Sequence, residues 1–143
     1  MYSAKRSDFL KIEFTVYGKP QGKARPRFTR RGGRAYTPKN TKLYEQQIAR
    51  AYRQAANGFT FGEFPVEIWI TAVFQKAKTS KKEYPTLKPD IDNIQKAVFD
   101  GLNGIAYNDD KQILAVSAHK TFCKLEGEKP RLLVTVMEYK DDE

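Results

Sequence analysis

Two short acidic stretches of the sequence, KPDIDNIQK and NDDKQI, contain residues whose types and spacing could carry out chemistry. Carboxylates repel one another, so a protein that gathers three or four of them usually holds a cation there. Oxygen ligands without His or Cys suit Mg²⁺ or Mn²⁺. A lysine four residues after an aspartate shares its helix face, where it could neutralise the charge that develops on a phosphate. The candidate residues are Asp90, Asp92, Lys96, Asp109 and Asp110.

Each of these residues also has a structural explanation. Asp90 is suited to cap a helix, and Asp92 in the first turn would favour the helix dipole. The pair Asp109 and Asp110 is typical of an Asx turn, and Lys96 could simply form an ion pair with Asp92. The chemical interpretation requires the chain to fold back over the helix axis, so that the two acidic stretches meet. A helix followed directly by a strand permits that arrangement.

The positive charge of the chain is concentrated in its first quarter. Residues 1–34 hold ten Lys or Arg and two acids, whereas residues 35–143 hold sixteen and fifteen, within a net charge of +9. The densest segment, residues 19–36, is called the basic arm here, and its glycines and prolines exclude a regular helix. Clustered cations indicate a polyanionic partner, and Phe28 and Tyr36 could stack on bases. The residues expected to contact nucleic-acid phosphates are Lys23, Arg25, Arg27 and Arg30.

The sequence predicts two helices that must position these groups. Thr37 as cap and Pro38 as first helical residue start one helix, which a first Asn-Gly pair, residues 57–58, ends. Asp90 caps the other, whose apolar residues recur at helical spacing until a second Asn-Gly pair, residues 103–104. Both acidic stretches therefore flank one short helix.

Apolar alternation and short apolar runs predict four strands, over residues 10–18, 65–75, 112–122 and 131–138. The last two are expected to pair through a polar turn near Gly127. The resulting order, β-α-β-α-β-β, predicts an α/β (α+β) fold of one mixed sheet with helices packed on it.

Composition excludes several other classes of protein. A chain of 143 residues favours a single domain spanning residues 1–143. One Cys and one His exclude an intramolecular disulfide, a cysteine zinc cluster and a multi-histidine metal site. The sequence contains neither a long apolar run nor a signal-like apolar segment near Met1, so we expect a cytoplasmic protein without membrane contact. We expect the acidic tail, residues 141–143, to be frayed.

Four segments in order along the chain together resemble one family. GKARPRF in the basic arm is followed by KPDIDNIQK, then FDGLNG, then DDKQI. This series resembles the RusA family of Holliday junction resolvases, the crossover junction endodeoxyribonucleases of phages and prophages. The similarity runs from about Val16 to Ile113, and it depends on the segments occurring together.

The resemblance implies a homodimeric endonuclease that requires a divalent metal, and the oxygen ligands favour Mg²⁺, with Mn²⁺ as the alternative. No small-molecule cofactor is expected for such an endonuclease. Its substrate would be branched DNA, the four-way junction, nicked in homologous recombination and repair. The family's essential acids and metal ligands fall on Asp90, Asp92 and Asp110, with Asp109 as a further candidate ligand, and its catalytic lysine falls on Lys96. Two matching residues receive supporting roles, in which Asn93 braces the acidic turn and Asp100 pairs with Lys96.

The expected reaction is in-line attack of a metal-activated water on a phosphodiester. A four-way junction is roughly two-fold symmetric and needs two opposing nicks, which fits a two-fold dimer. Its interface could be a strand edge or the apolar side of Tyr44, Tyr52 and Trp69. The alternatives are a structure-selective DNA-binding module without catalysis, a nuclease of the same chemistry acting on other branched DNA or on RNA hairpins, and a domain that binds an acidic protein.

Overall fold

The computed structural model describes residues 10–36 and 38–141, excluding the side chain of Tyr36. The helices are α1, Lys39–Ala56, and α2, Ile91–Leu102. The strands are β1 Lys11–Tyr17, β2 Arg27–Phe28, β3 Ala35–Tyr36, β4 Val66–Phe74, β5 Ile113–Phe122 and β6 Arg131–Glu138. The predicted α+β architecture, one mixed sheet with two helices in a single domain, is confirmed.

The main sheet has the strand order β1-β6-β4-β5. Strand β6 is antiparallel to both β1 and β4, whereas β4 and β5 are parallel. The predicted hairpin between β5 and β6 is therefore wrong, because β4 lies between these strands. Both edges of β6 are paired, and its alternate residues Leu132, Val134 and Val136 are buried on one face of the sheet. Helix α2 lies in the connection that two parallel strands require.

Both helices pack on one face of this sheet. Their apolar stripes, including Ile48 and Val98, meet alternate residues of the strands in a single core. Tyr44 and Tyr52 are 3% and 1% exposed, so they belong to this core and cannot supply a dimer interface as suggested. Trp69 is 38% exposed and points from β4 to the face of the sheet opposite α1 and α2.

The basic arm contains a β-hairpin that the sequence patterns did not predict. Strands β2 and β3 pair antiparallel, with Arg27 opposite Tyr36 and Phe28 opposite Ala35. Thr29 closes the turn, since its backbone N–H donates to the carbonyl of Arg34 at 2.9 Å and its hydroxyl accepts from the N–H of Arg34 at 3.1 Å. The hairpin therefore holds Arg27 on a strand and Arg30 in the turn that connects the two strands.

The helix boundaries agree closely with those predicted. Asp90 occupies the N-cap position of α2 and Asn103 its C-cap position. At α1, Pro38 is the N-cap and not the first helical residue, because its ψ of 146° is extended. The predicted cap Thr37 lies outside the described residues, as do Asp142 and Glu143 of the acidic tail. Neither helix of the described residues combines the length and the apolar composition of a transmembrane segment.

Candidate active site and nucleic-acid interface

Asp90 stands at the amino end of α2 with its carboxylate unused by the helix. Its backbone carbonyl accepts hydrogen bonds from the N–H groups of Asn93 and Ile94, both at 3.1 Å. Its side chain is exposed and makes no capping hydrogen bond to the described first turn of the helix. The capping role suggested for Asp90 therefore involves its backbone, and its carboxylate can bind another group.

Asp92 and Lys96 lie on the same face of α2, as their spacing predicts. The Lys96 ammonium is 4.0 Å from the Asp92 carboxylate, and the two side chains are 61% and 65% exposed. An exposed pair at this separation contributes little to stability. Each charge is therefore available to a ligand at little cost to the fold.

Asp109 and Asp110, adjacent in sequence, have different surroundings. The Asp109 carboxylate accepts from the backbone N–H of Lys111 at 2.9 Å, and the N–H of Asp109 donates to the side chain of Gln112 at 2.8 Å. Asp109 thus caps a short 3-10 turn, Asp110–Gln112. The pKa of the Asp110 carboxyl is raised by desolvation and by a side-chain hydrogen bond with Asp109, and its side chain does not cap the turn. Of this pair, Asp110 is the better candidate for chemistry.

The turn that carries Asp110 stays at the carboxyl end of α2. The backbone N–H of Asp110 donates to the side-chain oxygen of Asn103 at 3.1 Å, just after the helix ends. A helix of 12 residues is about 18 Å long, which places Asp110 far from Asp90 and Asp92 within one chain. The two acidic stretches therefore lie at opposite ends of α2. No three His, Cys, Asp or Glu side chains in the described residues gather closely enough to hold a metal ion.

The donor chemistry of the amino end of α2 nevertheless fits a hard cation. Mg²⁺ usually keeps several waters and binds through one or two carboxylates together with substrate phosphates. Asp90 and Asp92 supply two exposed carboxylates two residues apart. A DNA phosphate placed beside them would complete such a set.

A second charged cluster joins the basic arm to the helices. Lys23 forms an ion pair and hydrogen bond with Asp100 on α2, so the predicted pairing of Asp100 with Lys96 is wrong. The hydrogen bond to Asp100 raises the pKa of Lys23. Glu45 on α1 belongs to the same cluster, and burial together with the charge of Asp100 raises its pKa. Sequence reasoning missed Glu45, because nothing in its local pattern distinguishes it from other charged residues of α1.

The basic arm and the acidic end of α2 share one groove. The groove has a volume of about 560 Å³, and Lys19, Lys23, Arg25, Lys88, Asp90 and Asn93 are among its lining residues. Arg25, Arg27 and Arg30 are exposed, and Phe28 is 69% exposed. The side chain of Tyr36, the other suggested stacking residue, lies outside the described part. Of these three arginines, Arg25 lines the groove together with Asp90.

Exposed carboxylates beside an exposed arginine, as Asp90 lies beside Arg25, have the composition of a nuclease site. The comparison with known proteins agrees, since residues 17–137 match the family described as Endodeoxyribonuclease RusA. The chain belongs to the RusA family, whose members are endonucleases acting on Holliday junctions. It is also 30% identical over 140 residues to the Uncharacterized protein YqaN of Bacillus subtilis (strain 168), covering 89% of this chain and 96% of that protein.

Proposed function

We propose that this protein is a metal-dependent Holliday junction resolvase that makes paired symmetric nicks in branched DNA. The supporting observation is the shared groove, in which Arg25 of the basic arm and Asp90 of α2 line the same space. The arginine attracts a DNA phosphate, whereas the carboxylate repels it. A metal ion bound between the carboxylate and the phosphate would remove this repulsion. Such a metal ion would bring the DNA backbone to the carboxylates.

Asp90 and Asp92 would hold Mg²⁺, or Mn²⁺ in its place, together with an oxygen of the scissile phosphate. When bound, this ion would polarise the phosphate and lower the pKa of a coordinated water. Lys96 would place a positive charge one helical turn further along α2, beside the phosphate oxygens whose charge grows in the transition state. Asp110 remains the third acid that we propose for the reaction. Within one chain it lies at the carboxyl end of α2, whereas Asp90 and Asp92 lie at the amino end.

The basic arm would position the DNA without reading its sequence. Arginines that contact phosphates fix the register of a duplex and contribute a salt-dependent free energy of binding. The exposed Phe28 would stack on an unpaired base near the branch point, where bases are more easily exposed. Selection of branched over linear DNA would then come from shape.

Two opposing nicks require two active sites, so we propose that the functional species is a homodimer. The edge strand β5 carries two exposed apolar side chains, Leu114 and Val116, that a second copy could cover. Sedimentation of the protein with and without a junction tests this point. A monomer that still makes paired nicks would contradict it.

The test of the metal site is Asp92→Asn, which preserves size and removes one ligand charge. We expect junction cleavage to fall about 100-fold or more while junction binding is retained, since the acids are proposed for chemistry and the arm for binding. Asp141→Asn, at an exposed aspartate near the end of the described chain, is the matched control and should cleave normally. Cleavage by Asp92→Asn at the wild-type rate in Mg²⁺ would refute the assignment.

A DNA-binding module without catalysis is the second candidate. The separation of Asp110 from Asp90 and Asp92 favours this alternative, because the described residues of one chain do not bring three acids together. This alternative predicts junction binding that chelators do not change and no nicks with any divalent ion. The same cleavage assay therefore distinguishes the two functions.

A further inference from the structure

The start of the basic arm is attached to the helices by backbone contacts. The N–H of Lys23 donates to the carbonyl of Asn93 at 2.9 Å, and the N–H of Ala24 donates to the hydroxyl of Thr41 at 3.2 Å. Just before them, Gly22 packs so closely on α2 that a Cβ there would lie 2.9 Å from that of Asn93. These contacts join the arm to both α1 and α2.

The side chain of Lys23 completes this attachment. Its ammonium pairs with Asp100, and the two side chains are only 29% and 32% exposed. The groups around this pair are mainly acidic, since Glu45 and Asp110 both interact electrostatically with Asp100. A phosphate bound to Lys23 would have to replace Asp100 as its partner, and the acids would then face one another without a counter-charge.

We propose that Lys23 is a positioning residue, which fixes the basic arm against α2 through Asp100 and thereby sets the distance between the DNA-holding arginines and the acidic helix end. This inference rests on the proposed nuclease function and changes one part of it. Lys23 was expected to contact phosphates directly, and here that role passes to Arg25, Arg27 and Arg30.

A double-mutant cycle with Lys23→Met and Asp100→Asn tests the proposal. Each single variant should lower junction cleavage about 10- to 100-fold, because a displacement of about 1 Å can cost 10²-fold in rate. The double variant should lose no more than the worse single variant, since both remove one interaction. The salt dependence of junction binding should stay at its wild-type slope in all three.

Asp100→Asn is the decisive variant. It is nearly isosteric and leaves the charge of Lys23 intact, so a lysine that binds phosphate would bind DNA as well as before or better. Arg30→Met is the matched control on the hairpin. It should weaken binding and reduce the salt slope by about one, because it removes one phosphate contact.

Hydrogen exchange of the Lys23 and Ala24 amides provides a readout independent of cleavage. Both amides should exchange faster in Lys23→Met and in Asp100→Asn, and at the wild-type rate in Arg30→Met. If the wild-type protein cleaves no junction, the proposed function fails, and the amide exchange still decides the positioning role. Unchanged exchange in Asp100→Asn, or a salt slope lowered by about one in Lys23→Met, would overturn it.

Discussion

Replacing Gly22 by alanine should separate the basic arm from α2 without otherwise altering the chain. The backbone of Gly22 lies outside the left-handed region, so alanine carries no conformational penalty there. Its Cβ would lie 2.8 Å from the Cβ of Pro89 and 2.9 Å from that of Asn93. Carbon atoms attract best at about 3.5–4.0 Å, so the arm must move by roughly 0.7 Å or more.

The size of the effect follows from this displacement. Overpacking of this kind costs about 1–3 kcal/mol, which lowers the melting temperature by roughly 2–12 °C for a chain of this length. A movement approaching 1 Å between the groups that hold the DNA and those that act on it costs up to about 10²-fold in rate. The assay is the single-turnover nicking rate of a four-way junction, measured well below the melting temperature of the variant.

Gly127→Ala is the control for a general effect of replacing a glycine. Gly127 has a φ of 82° in the connection between β5 and β6, with open space around it, so alanine there costs about 1–2 kcal/mol through backbone strain alone. That variant should lose stability and keep the wild-type nicking rate. The reasoning is refuted if Gly22→Ala nicks junctions as fast as Gly127→Ala does.

Three further predictions concern single groups. Lys96→Met should lower junction cleavage about 100-fold and leave the junction dissociation constant within a few-fold, as measured by single-turnover kinetics and by titration. Arg25→Ala combined with Arg27→Ala should weaken junction binding at every salt concentration and reduce the salt slope by about two, and an unchanged slope would remove the arm from the interface. Glu128 has its pKa lowered to about 2 by hydrogen bonds from two backbone N–H groups and an arginine, against about 4.3 in the unfolded chain. The stability that this carboxylate contributes is present above the unfolded value and is lost as the pH falls from about 5 to 2. Glu128→Gln should therefore show a smaller drop in melting temperature over that range than wild type, and parallel curves would contradict the assignment.

The elements nearest the candidate site were the most predictable from sequence. Helix α2 has a strong apolar stripe, an aspartate at its N-cap and an Asn-Gly pair at its end, and all three signals act within one short segment. Strand β1 is also predictable from its own residues, because apolar and polar side chains alternate along it. Local signals suffice where the residues that decide an element lie within it.

The pairings between distant segments were not predictable in this way. The connection between β5 and β6 contains turn residues, but β6 pairs with β1 and β4, and the connection itself carries no information on which distant strands pair. The hairpin of the arm was missed because strands of two residues show no alternation. Lys23 and Asp100 are 77 residues apart, and no spacing rule connects them.

The candidate acids illustrate the same limit. Their residue types indicated a metal site, and the free carboxylate of Asp90 agrees with that interpretation. Their relative placement depends on the path of the chain after α2. There the side chain of Asn103 accepts a hydrogen bond from the backbone N–H of Asp110 and keeps Asp110 at the end of the helix. The separation of the two acidic ends was therefore visible only in the folded chain.

Cleavage of a synthetic four-way junction, in Mg²⁺ and in EDTA, beside a linear duplex of the same sequence, tests the proposed resolvase activity most directly. We predict paired, symmetric nicks in the junction alone, abolished by EDTA and restored by added Mg²⁺. Tight junction binding without nicks in any divalent ion would contradict the proposal and leave the basic arm as the whole of the function.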